Sequence, residues 1–178
     1  PKEPVTFTVN ENVTAAVGVP WSWPDVSNCK PGGRGSLLVN VYGPVRIIHR
    51  FLPLLERSDN PVIVKVSSGL GSIATAVDPD VASNVPVWVP APAYGSSKAA
   101  LNMLTVQYAR QLPNLRINTV DPGYTATDFN GHSGYQTVEE GAEIIVRLAQ
   151  IDQTGPTAGL LHAVDQRADA ASDRRGDR

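Results

Sequence analysis

Apolar residues recur at a helical spacing in three stretches of the chain. They fall at every third or fourth position over residues 37–56, 94–112 and 137–149, and this period predicts three helices. The third stretch begins with Thr137 followed by Glu140, which is the spacing of a capping box at a helix start.

Four short runs of strand-forming residues lie between or beside these helices. They cover residues 5–9, 61–66, 116–120 and 158–164. Because helices and strands alternate along the chain, we expect an α/β fold in which helices cover the faces of a parallel sheet.

Proline, glycine and charge divide the chain into three parts. Residues 1–36 are dense in proline and glycine, which excludes a long helix and makes this an atypical N-terminal segment. Residues 73–93 also contain several prolines and predict an irregular excursion inside a folded part at residues 37–165. Residues 166–178 are highly charged with almost no apolar content, so we expect a disordered tail.

Composition and charge exclude several classes of function. Fifteen Lys and Arg against 17 Asp and Glu give a net charge of −2, which offers no overall positive field to nucleic acid or an anionic membrane. No stretch approaches the ~20 apolar residues of a membrane span. The single cysteine excludes an internal disulfide framework, and the histidines show no metal-ligand spacing. We therefore expect no metal, no membrane and no nucleic-acid partner, and a cytoplasmic location.

Tyr94 and Lys98 are one helical turn apart and therefore share a helix face. A free tyrosine has a pKa of ~10 and is a poor base at neutral pH, but a neighbouring ammonium favours the phenolate. The two residues are therefore a candidate proton-transfer pair. Taken alone, the spacing is more typical of an exposed tyrosine and a solvated lysine.

Two turns follow predicted strands and are expected at the same edge of the sheet. Ser68 lies in a glycine-containing turn after the second strand, and residues 121–127 follow the third. Ligands of open α/β sheets bind beyond the carboxyl ends of the strands, where a serine hydroxyl can bond to a substrate carbonyl. The alternative is that both segments are ordinary turns.

Four motifs of this chain occur in a recognisable order. They read NVYG at 40–43, VSSGLG at 66–71, YGSSKAA at 94–100 and NTVDPG at 118–123. The combination resembles the short-chain dehydrogenase/reductase superfamily, and within it the bacterial members similar to carbonyl reductases, over roughly residues 37–160. The resemblance implies a Rossmann-type doubly wound parallel sheet with helices on both faces, and hydride transfer between NAD(P)(H) and a carbonyl or secondary alcohol.

The resemblance also implies roles for individual residues. Tyr94 would be the general acid or base, and Lys98 would assist Tyr94 and hold the nicotinamide ribose. Ser68 would orient and polarise the substrate carbonyl. Asn40 would hold a water through its backbone carbonyl, and Pro44 fits this role because it has no N–H to bond to that carbonyl.

The cofactor site implied by the resemblance includes Tyr94 and Lys98 together with the loop after the third strand. In that loop Pro122, Gly123, Thr125 and Thr127 would border the nicotinamide. The cofactor would be NADP or NAD, with NADP slightly favoured. The partners would be a small-molecule carbonyl or alcohol substrate and further copies of the chain, as a homodimer or homotetramer formed through residues 37–56 and 94–112.

One feature of the family is missing from this sequence. The glycine-rich T-G-x-x-x-G-x-G turn that cradles the cofactor pyrophosphate does not occur, so the N-terminal βα units are expected to be truncated or divergent. An alternative is therefore an inactive remnant that associates through its helices. A serine hydrolase using Ser68 ranks last, because no G-x-S-x-G elbow surrounds that serine and no histidine is evidently linked to it.

Overall fold

A computed structural model describes residues 6–9, 38–78 and 91–162 of the 178-residue chain. Within these residues four strands form one parallel sheet in the order β1-β2-β3-β4. The strands are β1 (Thr6–Val9), β2 (Val62–Val66), β3 (Arg116–Asp121) and β4 (Leu160–His162). The predicted α/β class is confirmed, and β1 comes from the segment that we expected to be atypical.

In the described part of the chain, four α-helices connect or cover the strands. They are α1 (Gly43–Leu55), the short α2 (Ile73–Val77), α3 (Pro92–Gln111) and α4 (Val138–Ala149). A π-helical turn at Leu38–Tyr42 leads into α1, and 3₁₀ turns occur at Gly69–Gly71 and Asp128–Asn130. The predicted capping box is confirmed, because Thr137 and Glu140 exchange side-chain to backbone hydrogen bonds at the start of α4.

Two apolar clusters lie on opposite faces of the sheet. On one face, residues of α1 and α3 surround Ile63 and Ile117. On the other face, Ile144 and Leu148 of α4 pack against Val62, Val64 and Val120 of β2 and β3. The sheet is therefore covered on both sides, as the resemblance implied.

The structure corrects two details of the predicted helices. The prediction of irregular structure over residues 73–93 is wrong at both ends. Ser72 accepts the Thr75 N–H and caps the short helix α2, and α3 begins at Pro92. Pro44 lies in the first turn of α1, after the π-helical turn, where a missing N–H costs little. The free carbonyl at Asn40 stays a prediction.

Several expectations fall outside the part of the chain that the structure describes. These are most of the atypical segment at residues 1–36, the middle part of the predicted excursion at residues 79–90, and the charged tail at residues 166–178.

Candidate active site

The turn that carries Ser68 is packed against the start of α3. A Cβ on Gly71 would lie 2.7 Å from the backbone carbon of Lys98, and a Cβ on Gly95 would lie 2.8 Å from the Leu70 carbonyl oxygen. Glycine at both positions therefore permits a backbone-to-backbone approach that any other residue would block. This contact joins the end of β2 to the helical turn that carries Tyr94 and Lys98.

Tyr94 and Lys98 meet at this edge of the sheet. Lys98 is 1% exposed, and its ammonium lies 5.4 Å from the centroid of the Tyr94 ring. The Lys98 Nζ also donates a hydrogen bond of 3.2 Å to the Val66 carbonyl at the end of β2. The alternative of a solvated surface lysine is therefore wrong, because the ammonium is buried beside the Tyr94 ring.

Asn40 is linked to the same helical turn through Ser97, a residue that the sequence analysis did not identify. The Asn40 Nδ2 donates to the Ser97 hydroxyl at 2.9 Å, and that hydroxyl donates to the Tyr94 carbonyl at 2.7 Å. Both Asn40 and Ser97 are buried. The Asn40 Oδ1 is buried with no hydrogen-bond partner among the described residues, so an acceptor is available at this point of the site.

The two serines after β2 have different surroundings. The buried Ser67 donates through its hydroxyl to the Asn102 Oδ1 at 2.6 Å, which ties it to α3. Ser68 is half-buried, and its hydroxyl accepts the Leu70 N–H at 3.3 Å. Among the described residues this is the one hydrogen bond of the Ser68 hydroxyl, so its O–H hydrogen is available for donation.

The loop after β3 is held by Gln136, which the sequence analysis also did not identify. Gln136 is buried, and its Nε2 donates to the Pro122 carbonyl and to the Thr125 hydroxyl. Gly123 has a φ of +83°, a left-handed conformation that favours glycine. The loop that includes the predicted cofactor residues Pro122, Gly123 and Thr125 is thus fixed from the start of α4.

Thr127 and His132 lie farther along this loop. The Thr127 N–H donates to the Asn130 Oδ1 at 3.1 Å, and the Asn130 Nδ2 donates to the Thr125 carbonyl at 2.8 Å. His132 is exposed and pairs with Asp128 at 2.9 Å. Its contact with a neighbouring carboxylate, with no link to Tyr94 or Ser68, fits a solvated loop histidine.

Asp121 and His162 form a hydrogen-bonded pair at the carboxyl ends of β3 and β4. The His162 Nδ1 lies 3.2 Å from the Asp121 Oδ2. The pair lies beside the turn that carries Ser68, because His162 Cε1 is 3.7 Å from the position of a Cβ on Gly69. However, the Ser68 hydroxyl accepts the Leu70 N–H and forms no hydrogen bond to His162 in the described part of the chain, so a serine-hydrolase triad is not assembled.

Residues 6–9, 38–78 and 91–162 contain neither a candidate metal site nor a candidate membrane-spanning helix. No three His, Cys, Asp or Glu side chains cluster there in a way that could hold a metal ion. None of the helices there is both long and apolar enough to cross a membrane.

Comparison with known proteins identifies a family model and several relatives that are named as reductases or dehydrogenases. The family model for short chain dehydrogenase matches residues 33–138. The (-)-isopiperitenone reductase of Mentha piperita is 34% identical over 156 residues, which are 71% of this chain and 50% of the relative. The (+)-neomenthol dehydrogenase of Arabidopsis thaliana is 33% identical over 158 residues, covering 72% of this chain and 53% of the relative.

A solved structure shares the fold. The structure of salutaridine reductase from Papaver somniferum superposes with a TM-score of 0.60 at 30% identity, over 70% of this chain and 53% of that one. The Rossmann-type architecture is therefore confirmed. The chain spans about half the length of the relatives that it matches.

Proposed function

Because the chain belongs to the short-chain dehydrogenase family, we propose that it is an oxidoreductase that interconverts a carbonyl group and a secondary alcohol with NADP(H) or NAD(H). The observation that carries this proposal is the buried Lys98 ammonium, 5.4 Å from the Tyr94 ring centroid and bonded to the end of β2. The named relatives are reductases and dehydrogenases, which supports an enzyme over an inactive remnant.

In this proposal Tyr94 moves the proton. During reduction its phenol O–H protonates the substrate oxygen, and during oxidation the phenolate takes that proton back. The Lys98 ammonium stabilises the phenolate form of Tyr94 between these steps. Ser68 donates its hydroxyl hydrogen to the substrate oxygen and holds it near Tyr94, since that hydroxyl already uses its acceptor side for Leu70.

Proton exchange with solvent would pass by Asn40. Its side chain is bonded through Ser97 to the turn of Tyr94, so Asn40 and Tyr94 are fixed relative to each other. We propose that the Asn40 backbone carbonyl holds a water that connects Lys98 to solvent. Support comes from the Asn40 Oδ1, a buried acceptor without a hydrogen-bond partner among the described residues, which such a water would satisfy.

The described residues fit the nicotinamide half of the cofactor. Lys98 supplies a donor for the ribose hydroxyls, and Pro122, Gly123, Thr125 and Thr127 lie on a loop that is fixed by buried Gln136. The bound cofactor would supply or accept the hydride. No residue is assigned to the pyrophosphate, since the sequence lacks the family's glycine-rich turn. NADP is the first cofactor to test, with NAD as the alternative.

Assembly and location are further parts of the proposal. Met103 on α3 is 59% exposed and Leu54 on α1 is 43% exposed, which places apolar surface on the two helices that we expect to form a homodimer or homotetramer. Sedimentation of the purified chain measures this directly. A cytoplasmic location stays a prediction.

The assay that tests the proposed activity follows oxidation of NADPH or NADH by absorbance in the presence of ketones. The panel starts with isopiperitenone, the compound in a relative's name, and continues with simple cyclic and open-chain ketones. Cofactor oxidation that depends on both ketone and protein is the expected result. If neither cofactor is consumed with any ketone, the proposed activity is wrong.

A further inference from the structure

The Asp121 carboxylate joins three separate segments of the chain. Its Oδ1 accepts the Gly123 N–H at 3.1 Å, and its Oδ2 lies 3.2 Å from the His162 Nδ1. The backbone N–H of Gly69 lies close enough to this carboxylate to help lower its pKa. One side chain therefore connects the turn after β2, the loop after β3 and the end of β4.

The approach of Asp121 to the turn after β2 requires glycine at position 69. A Cβ on Gly69 would lie 2.7 Å from the Asp121 Oδ2, which is closer than two such atoms can pack. Gly69 follows Ser68 directly. The carboxylate is thus in contact with the backbone of the residue next to the proposed carbonyl-binding serine.

The carboxylate is held in its ionised form. Burial by itself raises the pKa of Asp121, but the hydrogen bonds from His162, Gly123 and Gly69 and the nearby His162 charge outweigh burial, so the pKa lies below its usual value. An ionised carboxylate accepts stronger hydrogen bonds than a neutral acid does. The charge of Asp121 therefore strengthens its contacts with the turn after β2 and the loop after β3.

We propose that Asp121 and His162 are positioning residues, which fix the turn that carries Ser68 against the loop that carries Pro122 and Gly123. This inference rests on the proposed function, in which Ser68 holds the substrate oxygen and the loop borders the nicotinamide. The relative position of substrate and cofactor then depends on one carboxylate. Misplacement of reacting groups by about 1 Å can cost roughly a hundredfold in rate.

His162 holds the Asp121 carboxylate through a side-chain hydrogen bond. Its Nδ1 bonds to Asp121, and its ring edge lies over Gly69, so the imidazole covers the carboxylate from the side of β4. Replacing His162 with Gln keeps a side-chain group that can bond to Asp121, whereas His162→Ala removes it. We expect the Gln variant to retain more activity than the Ala variant.

The first test does not depend on activity. Amide hydrogen exchange at Gly69 and Gly123 is measured by NMR in the wild type, Asp121→Ala and Asp121→Asn. Both amides should exchange faster in Asp121→Ala, and Gly123 should be partly protected in Asp121→Asn, whose Oδ1 can still accept its N–H. Asp152→Ala is the matched control, because that carboxylate also accepts a backbone N–H, from Thr154 at 2.8 Å, but in an exposed turn before β4.

The second test is kinetic. Asp121→Ala should lower kcat by roughly tenfold to a hundredfold, with a smaller change in KM, because bound substrate and cofactor are misaligned rather than released. Asp121→Asn should recover part of this loss. Asp152→Ala should match the wild type in both parameters.

The two tests separate the inference from the proposed function. Unchanged exchange at Gly69 and Gly123 in Asp121→Ala would overturn the bridging role whatever the activity. Faster exchange with an unchanged kcat would overturn the positioning role. A wild type that reduces no ketone would refute the proposed function and the catalytic part of this inference, while the exchange data would still decide whether Asp121 holds the two turns together.

Discussion

Two tyrosines of α3 each lie near a buried lysine, and their surroundings distinguish them. The Lys98 ammonium is 5.4 Å from the Tyr94 ring centroid, and the Lys65 ammonium is 5.9 Å from that of Tyr108. Lys98 is bonded to a carbonyl at the carboxyl end of β2, where ligands of such sheets bind. Tyr108 instead is half-buried and packs against the apolar cluster of α1 and α3.

This difference gives a matched pair of variants for the proposed acid. Tyr94→Phe should abolish turnover and leave cofactor affinity nearly unchanged, because the ring stays and only the proton donor is lost. Tyr108→Phe, on the same helix, should retain turnover. Initial rates and cofactor titrations measure both effects. Wild-type rates in Tyr94→Phe would show that Tyr94 is not the acid.

Lys65 lies in β2, and the burial of its ammonium lowers the free energy of unfolding. It is 0% exposed, and its ammonium has no hydrogen-bond partner among the described residues. Burial lowers the pKa of Lys65 from 10.5 to about 7. Between these two values the unfolded chain binds more protons than the folded chain, so the unfolding free energy should rise as the pH increases from 7 to 10.5.

Lys65→Met tests this cost. The variant keeps an unbranched side chain and removes the charge, so it should be more stable than the wild type at pH 7, and the difference should shrink towards pH 10. Urea unfolding of both proteins across this range measures the effect. A constant difference at every pH would contradict the burial of a titrating ammonium.

Spacing along the sequence predicts those candidate site contacts whose partners are local. Tyr94 and Lys98 are one turn apart on a helix, so their spacing is visible in the sequence. The link between Asp121 and His162 joins residues 41 positions apart, and that between Asn40 and Ser97 joins residues 57 apart. No local spacing encodes such contacts, since they depend on the order of strands in the sheet.

At the scale of elements, hydrophobic periodicity predicted the long helices and the central strands. Helices α1 and α4 each bury one face against the sheet, so their apolar pattern is strong. The short helix α2 was missed because five residues are too few for a periodic pattern and most of its side chains are exposed. Its start was nevertheless encoded by Ser72, whose hydroxyl accepts the Thr75 N–H.

The capping box of α4 gives a prediction at this scale. Thr137→Ala removes the hydroxyl that accepts the Glu140 N–H, so it should lower the unfolding free energy by about 1 kcal/mol. Thr137→Ser keeps that hydroxyl and should cost much less. Urea unfolding measures both. Equal stability of the Ala and Ser variants would show that the cap contributes nothing.

At the scale of the whole molecule, the sheet brings together the proposed catalytic and nicotinamide-binding residues, but the sequence has no glycine-rich turn for the cofactor phosphates. Strand β1 pairs in parallel with β2, although the match to the family model begins only at residue 33. The edge formed by β2, β3 and β4 holds Ser68, the loop after β3 and His162, with Tyr94 and Lys98 beside it. The glycine-rich turn for the cofactor phosphates does not occur in the sequence. Cofactor binding is therefore the property on which the account depends.

Titration of the purified 178-residue chain with NADPH and with NADH, followed by fluorescence, tests this property most directly. We expect saturable binding in the micromolar range for at least one cofactor. Binding should be weaker in Lys98→Met, which keeps the buried stem but lacks the ammonium. Absence of binding at millimolar cofactor, with the chain folded, would contradict the account.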